Sequence, residues 1–160
     1  MGRSRRRTAA IGATILACAI ALAAAAAPDI PLARDLASDA REARQAGRVI
    51  VVLFSVSGCE WCERVREAAL KPLLADDAAR VIVREIGIEG GDALTDFDGA
   101  ATTHAAFANR EAVRFAPTVL VLGPGGERLA EPLVGFGTAD YYAYYLDERI
   151  AAGLAKLGGR

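Results

Sequence analysis

The chain is poor in the groups that most often carry chemistry: among 160 residues it has one histidine, one tryptophan, one methionine and three cysteines. A single histidine excludes a histidine-rich metal centre, and the folded part offers too few ligands for a four-coordinate zinc site. Three cysteines are too few for a disulfide scaffold. An excess of basic charge is also missing, since 19 Lys and Arg face 20 Asp and Glu for a net charge of −1. Nucleic acid and anionic lipid are therefore not expected as partners. Beyond the first 27 residues there is no repeat and no low-complexity tract.

What is present begins with a basic head, Met-Gly-Arg-Ser-Arg-Arg-Arg-Thr, followed by an uncharged stretch from Ala9 to Ala27 that ends in five alanines. Basic head, apolar run and small-residue exit make an export signal, with cleavage expected after Ala26. An uncleaved anchor is the main alternative, but a run made mostly of alanine inserts weakly. Cys18, after Ile15-Leu16-Ala17, could be a lipobox cysteine, although apolar sequence continues past it. The arginines after Ser4 also admit a twin-arginine signal. Each alternative leaves the arginines inside and the rest outside, so a periplasmic or otherwise exported location is expected. The organisation is then residues 1–26 as signal and 27–160 as one domain. Removing the four arginines of the head takes 19 basic residues to 15 against 20 acidic, a net charge of −5. Two cysteines remain.

Along the domain, Leu32, Leu36, Ala40 and Ala43 share one face between Pro31 and Gly47, predicting an amphipathic helix. Val49 to Phe54 is a β-branched and aromatic run, expected as a strand buried on both faces. Ser57-Gly58 break it, and a second helix is expected from about Cys59 to Leu74. Val81 to Ile88 alternates as a strand, and Glu89 to Ala101 reads as a loop rich in glycine and aspartate. Helix is expected from about Thr103 to Val113. Strands at Thr118–Leu122 and Arg128–Val134 flank the turn Gly123-Pro124-Gly125-Gly126. A last helix starts near Ala139, with Tyr142, Leu146, Ile150 and Leu157 on one face. This order predicts an α/β fold with a central mixed sheet of four or five strands flanked by helices.

The chemistry concentrates at Cys59-Glu60-Trp61-Cys62, where a buried strand passes into a helix. Free N–H groups and the positive end of the helix dipole favour a thiolate at Cys59 more than at Cys62. Lowering a thiol pKa from about 8.5 to about 7 raises the reactive fraction at neutral pH from a few per cent to about half. The i, i+3 spacing puts both sulfurs within bonding reach. Cys59 is thus the expected attacking residue and Cys62 the resolving one.

Val51-Val52-Leu53-Phe54, Cys59-Glu60-Trp61-Cys62, Ala116-Pro117-Thr118 and Val134-Gly135-Phe136-Gly137 follow in the order and spacing of thioredoxin, which the chain resembles over residues 31–157. Asp96-Phe97-Asp98-Gly99 and the stretch from Gly135-Phe136 to Tyr145-Leu146 resemble the periplasmic SoxW-like branch of thiol reductases. The resemblance implies a thioredoxin fold, a cis Ala116–Pro117 peptide beside the cysteines, and a substrate groove rimmed by Trp61, Ala116, Pro117, Thr118 and Phe136. It implies no cofactor beyond the cysteine pair and no metal. Expected partners are a disulfide-bearing protein or small sulfur compound and a membrane thiol donor, with the chain a monomer.

The pattern departs from the family at Leu53, where thioredoxin has a buried aspartate. Glu85, on the next strand, is the candidate replacement as proton acceptor for Cys62. Glu60 between the cysteines disfavours a neighbouring thiolate, which points to a reductase. The rivals are a disulfide oxidase or isomerase, and a non-catalytic binding module of the same fold. His104 is expected at a surface or helix start, and the four tyrosines from Tyr141 to Tyr145 as core and boundary residues of the last helix.

Overall fold

The computed structural model describes residues 29–159. The expected signal, its cleavage site and Cys18 lie outside the described residues. Within them, no helix is long and apolar enough to cross a membrane.

The first helix, α1 (Leu36–Ala46), starts later than the apolar spacing suggests, because Asp35 caps it by accepting from the Ser38 N–H at 2.7 Å. Residues 31–35 stay extended and lie along the edge of the sheet. The Ala33 N–H donates to the Glu85 carbonyl and the Glu85 N–H to the Pro31 carbonyl. A single bridge, Leu32 to Glu85, is all that exists of a fifth strand. β1 (Val49–Ser55) follows and is buried throughout.

The helix after β1 comes in three pieces: α2 (Glu60–Val65), a π-helical turn (Arg66–Leu70) and α3 (Lys71–Asp76). Pro72, in the first turn of α3, has no N–H to return to the preceding turn. The Lys71 N–H bonds the Arg66 carbonyl five residues back, which is the widened turn. β2 (Val81–Gly87) then pairs parallel with β1, Val49 opposite Val81 and Leu53 opposite Glu85.

The expected glycine- and aspartate-rich loop contains a small hairpin, β3 (Ala93–Thr95) and β4 (Ala101–Thr103). Its turn is tied by the Asp96 carboxylate, which accepts from the N–H groups of Asp98 and Ala100 and pairs with Arg110. Burial alone would raise the pKa of Asp96, but these donors outweigh it and hold the carboxyl below its usual range. The side chain of Phe97 packs on Phe107, so the Phe-Asp-Gly motif fastens the hairpin to α4 (His104–Arg110).

β5 (Thr118–Leu122) pairs antiparallel with β1, and β6 (Leu133–Val134) pairs with β5. The predicted long return strand is cut short. Leu122 bridges Arg128, but Val119 pairs with Leu133, so two extra residues bulge out on the returning side. Pro132, beside Leu133, cannot donate to a ladder. α5 (Ala139–Gly158) closes the fold.

The main sheet runs β2-β1-β5-β6 and is mixed. One core lies between it and the helices α2 and α5, joining Val49, Val51 and Leu53 to Val65, Leu70, Leu146 and Ile150. The other lies under α1 and α4, joining Ile50, Val52 and Phe54 to Leu36 and Phe107. Alternate residues of β1 feed the two cores, so each side chain from Val49 to Phe54 is buried. This is the thioredoxin fold. The tyrosines divide differently from the sequence expectation. Tyr142 is core, whereas Tyr141, Tyr144 and Tyr145 are 66, 58 and 45 % exposed, because only the 142, 146, 150 stripe of α5 faces the sheet.

Candidate active site

β1 ends at Ser55, and the turn through Ser57 and Gly58 delivers Cys59 as the N-cap of α2. Gly58 holds φ at +69°, a left-handed conformation open to glycine at little cost. Cys59 and Cys62 are joined in a disulfide, Cα to Cα 5.2 Å. Their surroundings differ. Cys59 is partly exposed and Cys62 is completely buried. The Cys62 N–H points at the Cys59 sulfur at 3.0 Å. On reduction that donor is already aimed at a Cys59 thiolate and favours it.

The sheet register brings the second half of the site to the first. Thr118 lies opposite Phe54 on β1 and opposite Val134 on β6. The Ala116–Pro117 peptide that precedes it is cis. The Gly135 N–H donates to the Pro117 carbonyl at 2.8 Å, and Phe136 then reaches Trp61, ring centroids 6.2 Å apart. Trp61 is half exposed and carries the Arg64 guanidinium 4.7 Å from its ring centre. The cis peptide and the buried Thr118 thus sit beside the end of the strand that leads to the cysteines, and Phe136 joins Trp61 on α2. Phe115, two residues before Pro117, is 72 % exposed and has no signal in the sequence beyond its position.

The opposite flank is charged. Glu85 is buried on β2, and its carboxylate accepts two bonds from the Arg66 guanidinium at 2.6 and 2.9 Å and one from the Ser55 hydroxyl at 2.5 Å. Burial pushes the Glu85 pKa up, but the Arg66 and Ser55 hydrogen bonds more than offset it and leave it below the usual carboxylate value. A carboxylate held this way is a weak base. Arg66 also pairs with Glu63 at 2.6 Å, and both partners hold the guanidinium charged. Sequence reasoning found Glu85 but missed Arg66 and Ser55. Arg66 lies on the π-helical turn, four residues past Cys62, and nothing in its local sequence shows that it crosses to β2. Glu60 is also less bare than expected, since Arg64 pairs with it at 2.8 Å and reduces its field at Cys59.

Between this charged flank and the insertion lies a cavity of about 700 Å³ with Cys59, Ser55, Arg66, Glu85 and His104 in its wall. His104 starts α4 as expected but is buried, not at the surface. Its Nδ1 accepts from the Gly87 N–H at 3.1 Å, and Nε2 lies 2.8 Å from the Ala33 carbonyl, which fits a neutral ring with its proton on Nε2. It ties the end of β2 to the N-terminal segment.

A partly exposed sulfur over a buried one, at a strand–helix junction beside an aromatic rim, is the machinery of a thiol–disulfide oxidoreductase. The model of the thioredoxin-like domain matches residues 36–150, and the chain belongs to that family. Among solved structures it is similar to oxidised thioredoxin O2 from Arabidopsis thaliana, at 15 % identity and TM-score 0.53, covering 75 % of this chain and 93 % of that one. It is also similar to a thioredoxin-fold protein from Helicobacter pylori, at 16 % identity and TM-score 0.52, covering 69 % and 82 %. A sequence search of curated proteins finds no match.

Proposed function

We propose that the chain is an exported, periplasmic thiol–disulfide reductase of the SoxW-like branch, acting as a monomer and re-reduced by a membrane thiol donor. The basic head and apolar run of residues 1–27 support export, and the Asp96–Gly99 motif supports the branch. The observation that carries the direction of transfer is the carboxylate-rich wall beside Cys59. Glu60, Glu63, Glu85, Glu89 and Asp92 line the cavity with Arg66 as the sole cation. Negative charge near a thiol disfavours its thiolate, so reduced Cys59 gains little stability and the couple is a weak oxidant.

Cys59 forms the mixed disulfide and Cys62, buried against it, resolves it. Trp61, Ala116, Pro117, Thr118 and Phe136 hold the substrate chain. In this reading Glu85 is a fixed charge paired with Arg66. Its bonds to Arg66 and Ser55 would have to loosen before it took the Cys62 proton. Glu85→Gln should leave the pH dependence of the resolving step in place, and a displaced profile would return the proton-acceptor role to Glu85. The reduction potential tests the direction. A value near thioredoxin's ~−270 mV supports a reductase, and one near ~−120 mV identifies an oxidase.

A further inference from the structure

The outer edge of β2 is closed by the extended segment 31–35, and its rungs are regular up to one point. The Glu85 N–H donates to the Pro31 carbonyl and the Ala33 N–H to the Glu85 carbonyl. In a parallel ladder the next rung runs from the Gly87 N–H to the Ala33 carbonyl. Here the segment has already turned away to β3, where Asp35 bridges Thr95 and the Thr95 N–H donates to the Arg34 carbonyl. The His104 ring fills the gap. Its Nδ1 accepts from the Gly87 N–H at 3.1 Å, and its Nε2 donates to the Ala33 carbonyl at 2.8 Å. One rung of this edge is therefore completed by an imidazole, which is 1 % exposed.

An imidazole holds this place only when neutral. Protonation gives both nitrogens a hydrogen, so Nδ1 ceases to accept and two N–H groups face each other. The Ala33 bond survives and the Gly87 bond is lost. The neighbouring rungs join backbone groups that do not titrate, so the response is confined to this one. The open rung binds the proton and the closed one does not, so the rung opens as pH falls through the titration of the ring.

What the rung supports lies close to the chemistry. Gly87 is opposite Ser55, the last residue of β1, and the Ile88 N–H donates to the Ser55 carbonyl. Ser55, Glu85, Gly87 and His104 share one cavity wall with Cys59. The charges around the ring come from each element packed on it. β2 brings Glu85, held by Arg66, and Arg84, paired with Asp39 of α1. The hairpin and α4 bring Asp96 paired with Arg110. Arg34 and Asp35 of the segment, and Glu89 and Asp92 of the loop after β2, are exposed. Burial raises the Glu85 pKa, and the bonds from Arg66 and Ser55, with the charges of Arg66 and His104, lower it. Among the described residues no carboxylate forms an ion pair with the ring, so nothing in place offsets the lost Gly87 bond.

We infer that His104 is a proton-operated link: neutral, it closes the rung that holds the end of β2, and protonated, it releases Gly87 and loosens the Ser55 side of the active site. Acid then slows disulfide exchange at Cys59 beyond the loss of its own thiolate. The rung is independent of the direction of electron transfer. Its effect on rate rests on the thiol–disulfide reading of Cys59 and deepens it.

The test uses the purified full chain, in which His104 is the only histidine, so its ring signals in nitrogen NMR need no assignment. The oxidised protein is titrated downwards from neutral pH, where the ring should show the Nε2–H tautomer. On acidification the ring and the Gly87 amide should shift with one midpoint. The protection of the Gly87 amide against exchange, relative to its free rate, should fall about tenfold across it. The Glu85 amide, on the backbone rung before it, should keep its protection. His104→Asn retains an acceptor oxygen for Gly87 and takes up no proton, so its Gly87 protection should not vary with pH. Oxidation of the reduced proteins by 2-hydroxyethyl disulfide is then compared, the titration of Cys59 cancelling in the ratio of rates. The wild-type-to-variant ratio should fall about threefold through the midpoint of the ring. A ring that gains its proton while Gly87 stays protected, or that stays neutral until the whole chain unfolds, overturns the link. A constant ratio of rates beside a releasing rung overturns its control of Cys59. If the wild-type dithiol does not react with the disulfide at any pH, the thiol–disulfide reading fails and the effect on rate with it, while the rung is decided by the NMR titration alone.

Discussion

The two flanks of Cys59 are built from different material. On one side Trp61 and Phe136 make an aromatic surface, next to the strand that the cis Ala116–Pro117 peptide opens. In the proposed function this surface would meet an extended substrate chain through main-chain pairing. On the other side the buried Glu85–Arg66–Ser55 network and the exposed carboxylates of Glu89 and Asp92 line a charged cavity. A surface of that kind discriminates by charge. In the proposed function, a substitution on either flank should therefore affect one class of substrate more than the other.

The largest effect should come from the atom that both flanks share. Cys59→Ser should lower disulfide reduction by about three orders of magnitude or more for every substrate. Cys62→Ser should still allow the first attack and accumulate a mixed disulfide, visible as added mass in intact-protein mass spectrometry. Next is the charged flank. Arg66→Met leaves the buried Glu85 carboxylate without its cation and should destabilise the fold by about 3 kcal/mol in urea unfolding. Glu85→Gln should cost less, because Ser55 and Arg66 can still hydrogen-bond an amide. The aromatic flank follows. Trp61→Ala should weaken a protein disulfide substrate by roughly 1–2 kcal/mol, measured as KM, and alter the kinetics of a small disulfide such as 2-hydroxyethyl disulfide much less.

The smallest effect is a pH slope. The folded-state pKa of Glu85 lies below the ordinary glutamate value of 4.5, so its ionised form stabilises the fold above that value. The contribution fades as pH falls through 4.5 towards the depressed folded value. Urea unfolding of wild type and Glu85→Gln should therefore converge on acidification. A stability gap that stays constant from neutral pH to below 4 would show that Glu85 is not held ionised.

The order of elements was readable because each leaves a pattern. Val49 to Phe54 can only be a doubly buried strand, and Cys59 after Ser57-Gly58 marks the start of a helix. What sequence did not show depends on contacts distant along the chain. The hairpin Ala93–Thr95 with Ala101–Thr103 is short and weak in β-propensity, and it exists because Asp96 ties its turn and Phe97 packs on Phe107. The π turn follows from Pro72, whose presence was plain but whose consequence depends on the helix continuing past it. At the site, Cys59, Cys62 and Glu85 were visible as types at meaningful positions. Arg66 was not, since its role arises only when the parallel β1–β2 register sets Glu85 beneath it.

The unequal exposure of the two sulfurs also bears on chemical damage. An oxidant arriving from solvent meets Cys59, because Cys62 has no exposed surface. A sulfenic acid formed at Cys59 has in Cys62, three residues on, a thiol that can condense with it, expelling water and closing the ring before a second oxygen is added. The pair is then returned to the disulfide state rather than carried to sulfinic acid. The burial of Cys62 thus makes the disulfide a refuge from oxidation as well as a state of the redox cycle.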